Sequence, residues 1–131
     1  MKLAIGLMGT AVRVVSDKDT AKAVGSGTVD VCATPVLSAV MEQAAVAALD
    51  GALPEGDTSV GISMKMSHKA PTPVGGTVTA RAVLTAVEGR RLTFRILATD
   101  EAGEIGEAEH ERFLVDEKAF TAKATDRLEN A

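Results

Sequence analysis

The sequence contains no tryptophan, no tyrosine and only three phenylalanines, so its core must be built from Val, Leu, Ile, Met and Ala. Its single cysteine, Cys32, excludes an internal disulfide and any metal site made of paired thiolates. It also makes a reducing cytoplasm the natural home. Positive charge is not in excess: the net charge is -4, which offers nothing to nucleic acid or to an anionic membrane. No apolar run is long enough to span a bilayer. The opening "MKLAIGLMGTAVRVV" faintly suggests a leader peptide, but its apolar run is short, Arg13 breaks it, and no disulfide pattern follows.

What is present is an ordinary globular composition, 46% hydrophobic and 24% charged over 131 residues. That length fits one domain, 1–131, able to bury a core without staples. No repeat and no linker interrupts it. Thr10 to Asp17 reads as a strand, Lys18 to Gly27 as a short helical turn and loop, and "TVDVCAT" as a short extended stretch. A long helix follows, with Thr34 suited to the N-cap, Pro35 to the first helical position and Asp50-Gly51 to the stop. Its apolar residues wrap most of the way round, as in a buried central helix.

Beyond the helix the hydrophobic period changes to two. Val60, Ile62, Met64, Met66 and His68 share one face of the next strand, opposite Gly61, Ser63, Lys65, Ser67 and Lys69. The inward faces of the following two strands are Val78, Ala80, Ala82, Leu84 and Leu92, Phe94, Ile96, Ala98, joined by the tight turn "VEGRRL". The last strand alternates Glu107, Glu109, Glu111 with Ala108, His110, Arg112, Leu114, and the tail from Asp116 is polar and expected to cap the fold. The predicted fold is α+β: one curved sheet, ending in a meander of four antiparallel strands, across which one helix lies. A helix apolar all round needs a second apolar partner, and a twofold dimer supplies it.

Three polar residues stand out. Glu42 sits in the middle of the greasy helix "TPVLSAVMEQAAVAAL". Position alone suits either a solvated side chain or a desolvated carboxylate that is paired, hydrogen-bonded or protonated. His68 ends the inward face of its strand, where a satisfied core histidine and a general base are both possible readings. Thr34 is either a plain N-cap or a hydroxyl at a helix head, where N–H groups point outward to receive an oxyanion. Eight helical residues rise about 12 Å, so Thr34 and Glu42 cannot touch along one straight helix. They meet only if the chain folds back or if two antiparallel helices pack about a twofold axis.

Other features carry less. Cys32 has no obvious acid or base beside it and reads as packed structure. Arg90 and Arg91 could contact the phosphates of a ligand, or simply decorate a solvated hairpin. Gly25-Ser26-Gly27 is too short, and lacks the strand–helix context, for a phosphate loop.

Taken together, "ATPVLSAVMEQA", "VGISMKMSHKAPTPVG", "VEGRRL" and "IGEAEHERF" resemble the hotdog-fold thioesterases, and among them the fluoroacetyl-CoA thioesterase-like group. The likeness runs from about Gly25 to Phe120 with its spacing intact. It implies a hotdog fold, dimeric at least, and an acyl-CoA thioesterase acting on a small or medium acyl group with no cofactor beyond the coenzyme A of its substrate. It also implies a catalytic set of Thr34, Glu42 and His68, and a substrate-side Gly61, whose missing side chain leaves room for a small acyl group, and Arg112. The group's aromatic lid before the helix has no counterpart in "KDTAKAVGSGTVDV", which points away from fluoroacetyl selectivity. The nucleophile is left open among Thr34, Glu42 and water. A non-catalytic acyl-CoA binding module is the alternative, since fold alone does not separate the two. A hotdog dehydratase would need a second inward carboxylate that the pattern does not offer.

Overall fold

The computed structural model describes residues 3–131. Strands β1 (Met8–Val14), β2 (Asp57–His68), β3 (Thr77–Glu88), β4 (Arg91–Asp100) and β5 (Gly103–Asp116) form one antiparallel sheet in the order β1-β3-β4-β5-β2. A 3-10 turn at Asp17–Asp19 and the short helix α1 (Ala21–Val24) lead into the long helix α2 (Thr34–Ala48), and α3 (Glu117–Glu129) ends the chain. The α+β expectation of one helix across one sheet holds.

The buried face of α2 is Leu37, Val40, Met41, Ala44, Ala45 and Ala48. It lies on the inward residues of β3 and β4, all of the expected Val78, Ala80, Ala82, Leu84, Leu92, Phe94, Ile96 and Ala98 being buried. Alanines on both surfaces let backbone approach backbone. The approach is closest at Gly9 in β1, where a Cβ would overlap the Ala44 carbonyl and the Ala48 amide.

Three expectations need correction. Only β3, β4 and β5 form a meander; β2 pairs with β5 at the far edge, not with β3. The segment 69–76, with Pro71 and Pro73, is a crossover tied to the chain before α2: Cys32 N–H donates to the Thr72 carbonyl at 2.8 Å, and Val31 bridges Pro73. Alternation says which face of a strand is buried and nothing about its neighbours.

The second correction concerns β2. Its register slips between Gly61 and Ser63, leaving Ile62 as the extra residue of a β-bulge. Met64, Met66 and His68 keep their inward parity, but beyond the bulge Ser59 and Gly61 face inward in place of Val60 and Ile62, and Ile62 is exposed. As expected of a helix with so much apolar circumference, α2 is not covered all round in one chain. Pro35, Ala39, Gln43, Val46 and Ala47 form an exposed, mostly apolar stripe. Last, the polar tail does not cap the fold. Asp116 caps a helix by accepting from Ala119 N–H at 2.9 Å, and no residue of that helix is buried.

Candidate active site

The head of α2 begins one residue earlier than expected. Ala33 occupies the N-cap, and Thr34 and Pro35 are the first helical residues. Alanine has no side chain with which to cap, and the Thr34 hydroxyl is not spent on capping either. Instead Thr34 Oγ1 lies 2.8 Å from Nδ1 of His68, the last residue of β2. With Nδ1 unprotonated, the hydroxyl donates to it, which is the reach a nucleophile and its base require. Burial holds the imidazole below the ordinary histidine range. The other nitrogen, Nε2, is buried and has no hydrogen-bond partner among the described residues.

The helix head is fixed by its neighbours. Ala33 N–H donates to the Asp19 carbonyl at 2.9 Å, and Thr20 bridges Cys32. Asp19 is itself clamped by Arg13, Nη2 to Oδ1 at 2.7 Å and Nε to Oδ2 at 3.0 Å. Those charge-assisted bonds pull its carboxyl down to about 2, so it is ionised at any pH near neutral. Thr34 and His68 open into a cleft of about 290 Å³, walled by Ala21, Ser26, Val31 and Cys32 on one side and Lys69 to Pro71 on the other. Cys32 is buried beside them, and burial raises its thiol, as befits a packed rather than a reactive cysteine.

Two turns further along α2, Glu42 sits in a second polar cluster. Arg112 Nη1 donates to its Oε2 at 3.2 Å, and the carboxylate side chain remains 44% exposed. Arg112 itself is buried and makes three further bonds: Nε to Ser59 Oγ at 2.7 Å, Nη2 to the Ser59 carbonyl at 3.0 Å, and Nη1 to His110 Nε2 at 3.1 Å. A Cβ at Gly61 would come within 2.5 Å of Glu42 Oε2. The chain's own carboxylate thus sits close against that glycine.

The structure therefore joins Thr34 to His68, and Glu42 to Gly61 and Arg112, and keeps the two sets apart within one chain. The turn carrying Arg90 and Arg91 lies at the opposite end of the sheet from His68, which pairs with Gly106, while Arg91 pairs with Phe113. Arg90 Nε donates to the Leu114 carbonyl at 2.8 Å, and Arg91 faces Glu111 at 3.6 Å, so neither reaches the Thr34 cleft of its own chain. Ser59 and His110 belong to the site, and the sequence reading left them out. Strict alternation places Ser59 on the outer face, and nothing in the pattern announces a bulge. His110 had the right parity but shared it with the structural Ala108 and Leu114 as well as with Arg112. Among the described residues no group of histidine, cysteine and carboxylates is arranged to hold a metal ion, and no helix is long and apolar enough to cross a membrane.

A five-stranded sheet curled about one long helix, with a hydroxyl–imidazole pair at the helix head, defines a protein of the hotdog class. A hot-dog-like protein from Thermanaerovibrio acidaminovorans superposes with a TM-score of 0.85 at 29% identity, covering 95% of this chain and 93% of that one. The family model of the fluoroacetyl-CoA-specific thioesterases matches residues 15–118. The fluoroacetyl-CoA thioesterase of Streptantibioticus cattleyicolor is 41% identical over 98 residues, 75% of this chain and 70% of that one. A point mutant of fluoroacetyl-CoA thioesterase, solved in complex with acetyl-CoA, superposes with a TM-score of 0.90 at 34% identity over 95% of this chain and 98% of that one. The chain belongs to the fluoroacetyl-CoA-specific thioesterase family, and is with it a thioester hydrolase.

Proposed function

We propose that this thioesterase hydrolyses a small or medium acyl-CoA to free acid and coenzyme A, and that Thr34 and His68 carry out the chemistry. The observation that supports this is the 2.8 Å contact between the Thr34 hydroxyl and His68 Nδ1 in an open cleft. In this reading His68 takes the proton as Thr34 Oγ1 attacks the thioester carbonyl, then returns it to the departing coenzyme A sulfur. The same imidazole next draws a proton from water, which cleaves the acyl-threonine ester. No cofactor enters beyond the substrate's own coenzyme A.

Glu42 completes the set from a second subunit. The exposed stripe of α2 and the free edge of β2 suit a twofold dimer, in which an antiparallel helix would bring Glu42 of the partner subunit to His68 Nε2. A carboxylate there would satisfy a buried nitrogen that lacks a partner among the described residues and would stabilise the imidazolium that forms. The stripe also explains why so apolar a helix carries a carboxylate at all. We place the protein in the cytoplasm, where its single buried thiol is stable.

The acyl group is not expected to be fluoroacetyl by preference, because Ala21, Ser26 and Val31 wall the cleft where an aromatic lid would lie. Free-thiol release from a panel of short, branched and aryl acyl-CoAs tests the activity. Release from none would leave an acyl-CoA binding module. Matched kinetics on fluoroacetyl-CoA and acetyl-CoA test the preference, and a large margin for the fluorinated ester would overturn it.

A further inference from the structure

His110 is 1% exposed, lies between β2, β4 and α2, and has no part in the chemistry proposed above. Its hydrogen bonds fix its protonation. Nδ1 is 2.7 Å from the Ser63 carbonyl, which only accepts, so Nδ1 carries the proton. Nε2 is 3.1 Å from Arg112 Nη1, which only donates, so Nε2 carries the lone pair. The ring is thus the neutral Nδ1–H tautomer. Its position is set by the bulge, which interrupts the β2–β5 ladder between Gly61 and Ser63, and by the ring of Phe94, whose centroid is 6.4 Å away.

The charged groups around it are few. Glu42 on α2 has Oε2 3.9 Å from Nε2, and Arg112 lies on β5 itself. From β2 come Gly61, Met64 and the Ser63 carbonyl, and from β4 the Phe94 ring, none of them titratable. Arg112 Nη1 is therefore held between one lone pair and one carboxylate, while Ser59 fixes the rest of the guanidinium.

We propose that His110 is a positioning residue for the thioesterase reaction: as a neutral imidazole it holds Arg112 on Glu42, and its protonation releases that arginine and disarms the carboxylate. A proton on Nε2 would remove the acceptor and set a second cation against the guanidinium. Glu42 Oε2 would turn to the new donor, and the Arg112 bond would be lost. Burial, the largest influence, and the nearby guanidinium both keep the ring neutral below the ordinary histidine range, so the release is confined to acid. The inference rests on Glu42 taking part in the reaction.

Two measurements test it. In 15N–1H spectra of the wild-type imidazoles at pH 7.5, His110 should show a protonated Nδ1 and a bare Nε2. An Nε2–H tautomer or an imidazolium would overturn the proposal. This readout needs no turnover, so it still decides if no acyl-CoA is hydrolysed, an outcome that would count against the thioesterase chemistry alone. In the kinetic arm, His110→Gln keeps an acceptor for Arg112 but cannot titrate, and His110→Leu removes the acceptor. The Leu variant should lose about a hundredfold in kcat with KM less affected, the Gln variant only a few-fold. The acid limb of log kcat/KM should fall with slope two in the wild type, where His68 and His110 must both be neutral, and with slope one in His110→Gln. Equal losses in two variants of wild-type Tm, or an unchanged slope, would refute it.

Discussion

The two polar clusters along α2 differ in how completely they are bonded. At the helix head, Thr34 is exposed and one nitrogen of His68 has no partner among the described residues. Two turns on, both nitrogens of His110 and every nitrogen of the Arg112 guanidinium are engaged. Unmet bonding capacity at a cleft is what a reacting group needs, because the substrate has to supply the missing partner. Full bonding is what a scaffold needs, because a half-satisfied buried network is the costlier state. Glu42 belongs to both kinds: tethered through Oε2, yet 44% exposed.

The largest effect should come from breaking the unsaturated cluster. His68→Ala should cut turnover by about a hundred to ten thousandfold. The fold should remain, since the change deletes a buried nitrogen that has no partner among the described residues; a thermal melt and free-thiol assay on one preparation check both halves. Glu42→Gln should follow at about a hundredfold, with little change in stability because the carboxylate is half exposed. Combined with His68→Ala it should add little, since members of one catalytic unit are not additive. Near-normal turnover in a folded Glu42→Gln protein would place Glu42 with the scaffold and erase the contrast.

Gly61→Ala should have a smaller effect. The new Cβ meets the far end of Glu42, a flexible group that can move aside, and crowds His110 Cε1 at 3.2 Å, so the melting temperature should fall only slightly while turnover falls about tenfold. A large loss of stability instead would show that the glycine serves packing. The mildest test is pH. Both imidazoles are held below their usual values, chiefly by burial, so the unfolded chain binds protons more readily. Their contribution to stability is therefore complete above the unfolded value of about 6.5 and is lost as pH falls below it toward the folded values. Replacing either histidine with Gln should flatten that decline in urea melts between neutral and mildly acid pH.

Much of this was legible in the residues. Alternation in β3, β4 and β5 is regular, and each inward residue expected there is buried. Thr34, Glu42 and His68 were visible as polar breaks in apolar surfaces. What stayed hidden depends on relations between segments. The pairing of β2 with β5 is decided by a crossover that must pass the helix head, and periodicity is blind to it. Local rules suited Thr34 to the N-cap of α2, but the helix starts one residue sooner, and such a rule cannot see that His68 competes for the hydroxyl. Ser59 was missed for the same reason Val60 was misplaced: one surplus residue reverses parity for all that precedes it.

That surplus residue gives β2 an uneven tolerance to changes in length. Removing a residue between Ser63 and His68 with the bulge kept would turn the earlier half over, moving Ser59 and Gly61 outward and leaving Arg112 against Val60. Removing Ile62 would not. Gly61 already pairs with Arg112 and Ser63 with Glu111, neighbours on β5, so the strand would close into regular alternation with both faces unchanged. Along this wall of the site there is thus one position where a codon can be lost with the inward set intact, and lineages that differ in length here can keep the same arginine clasp.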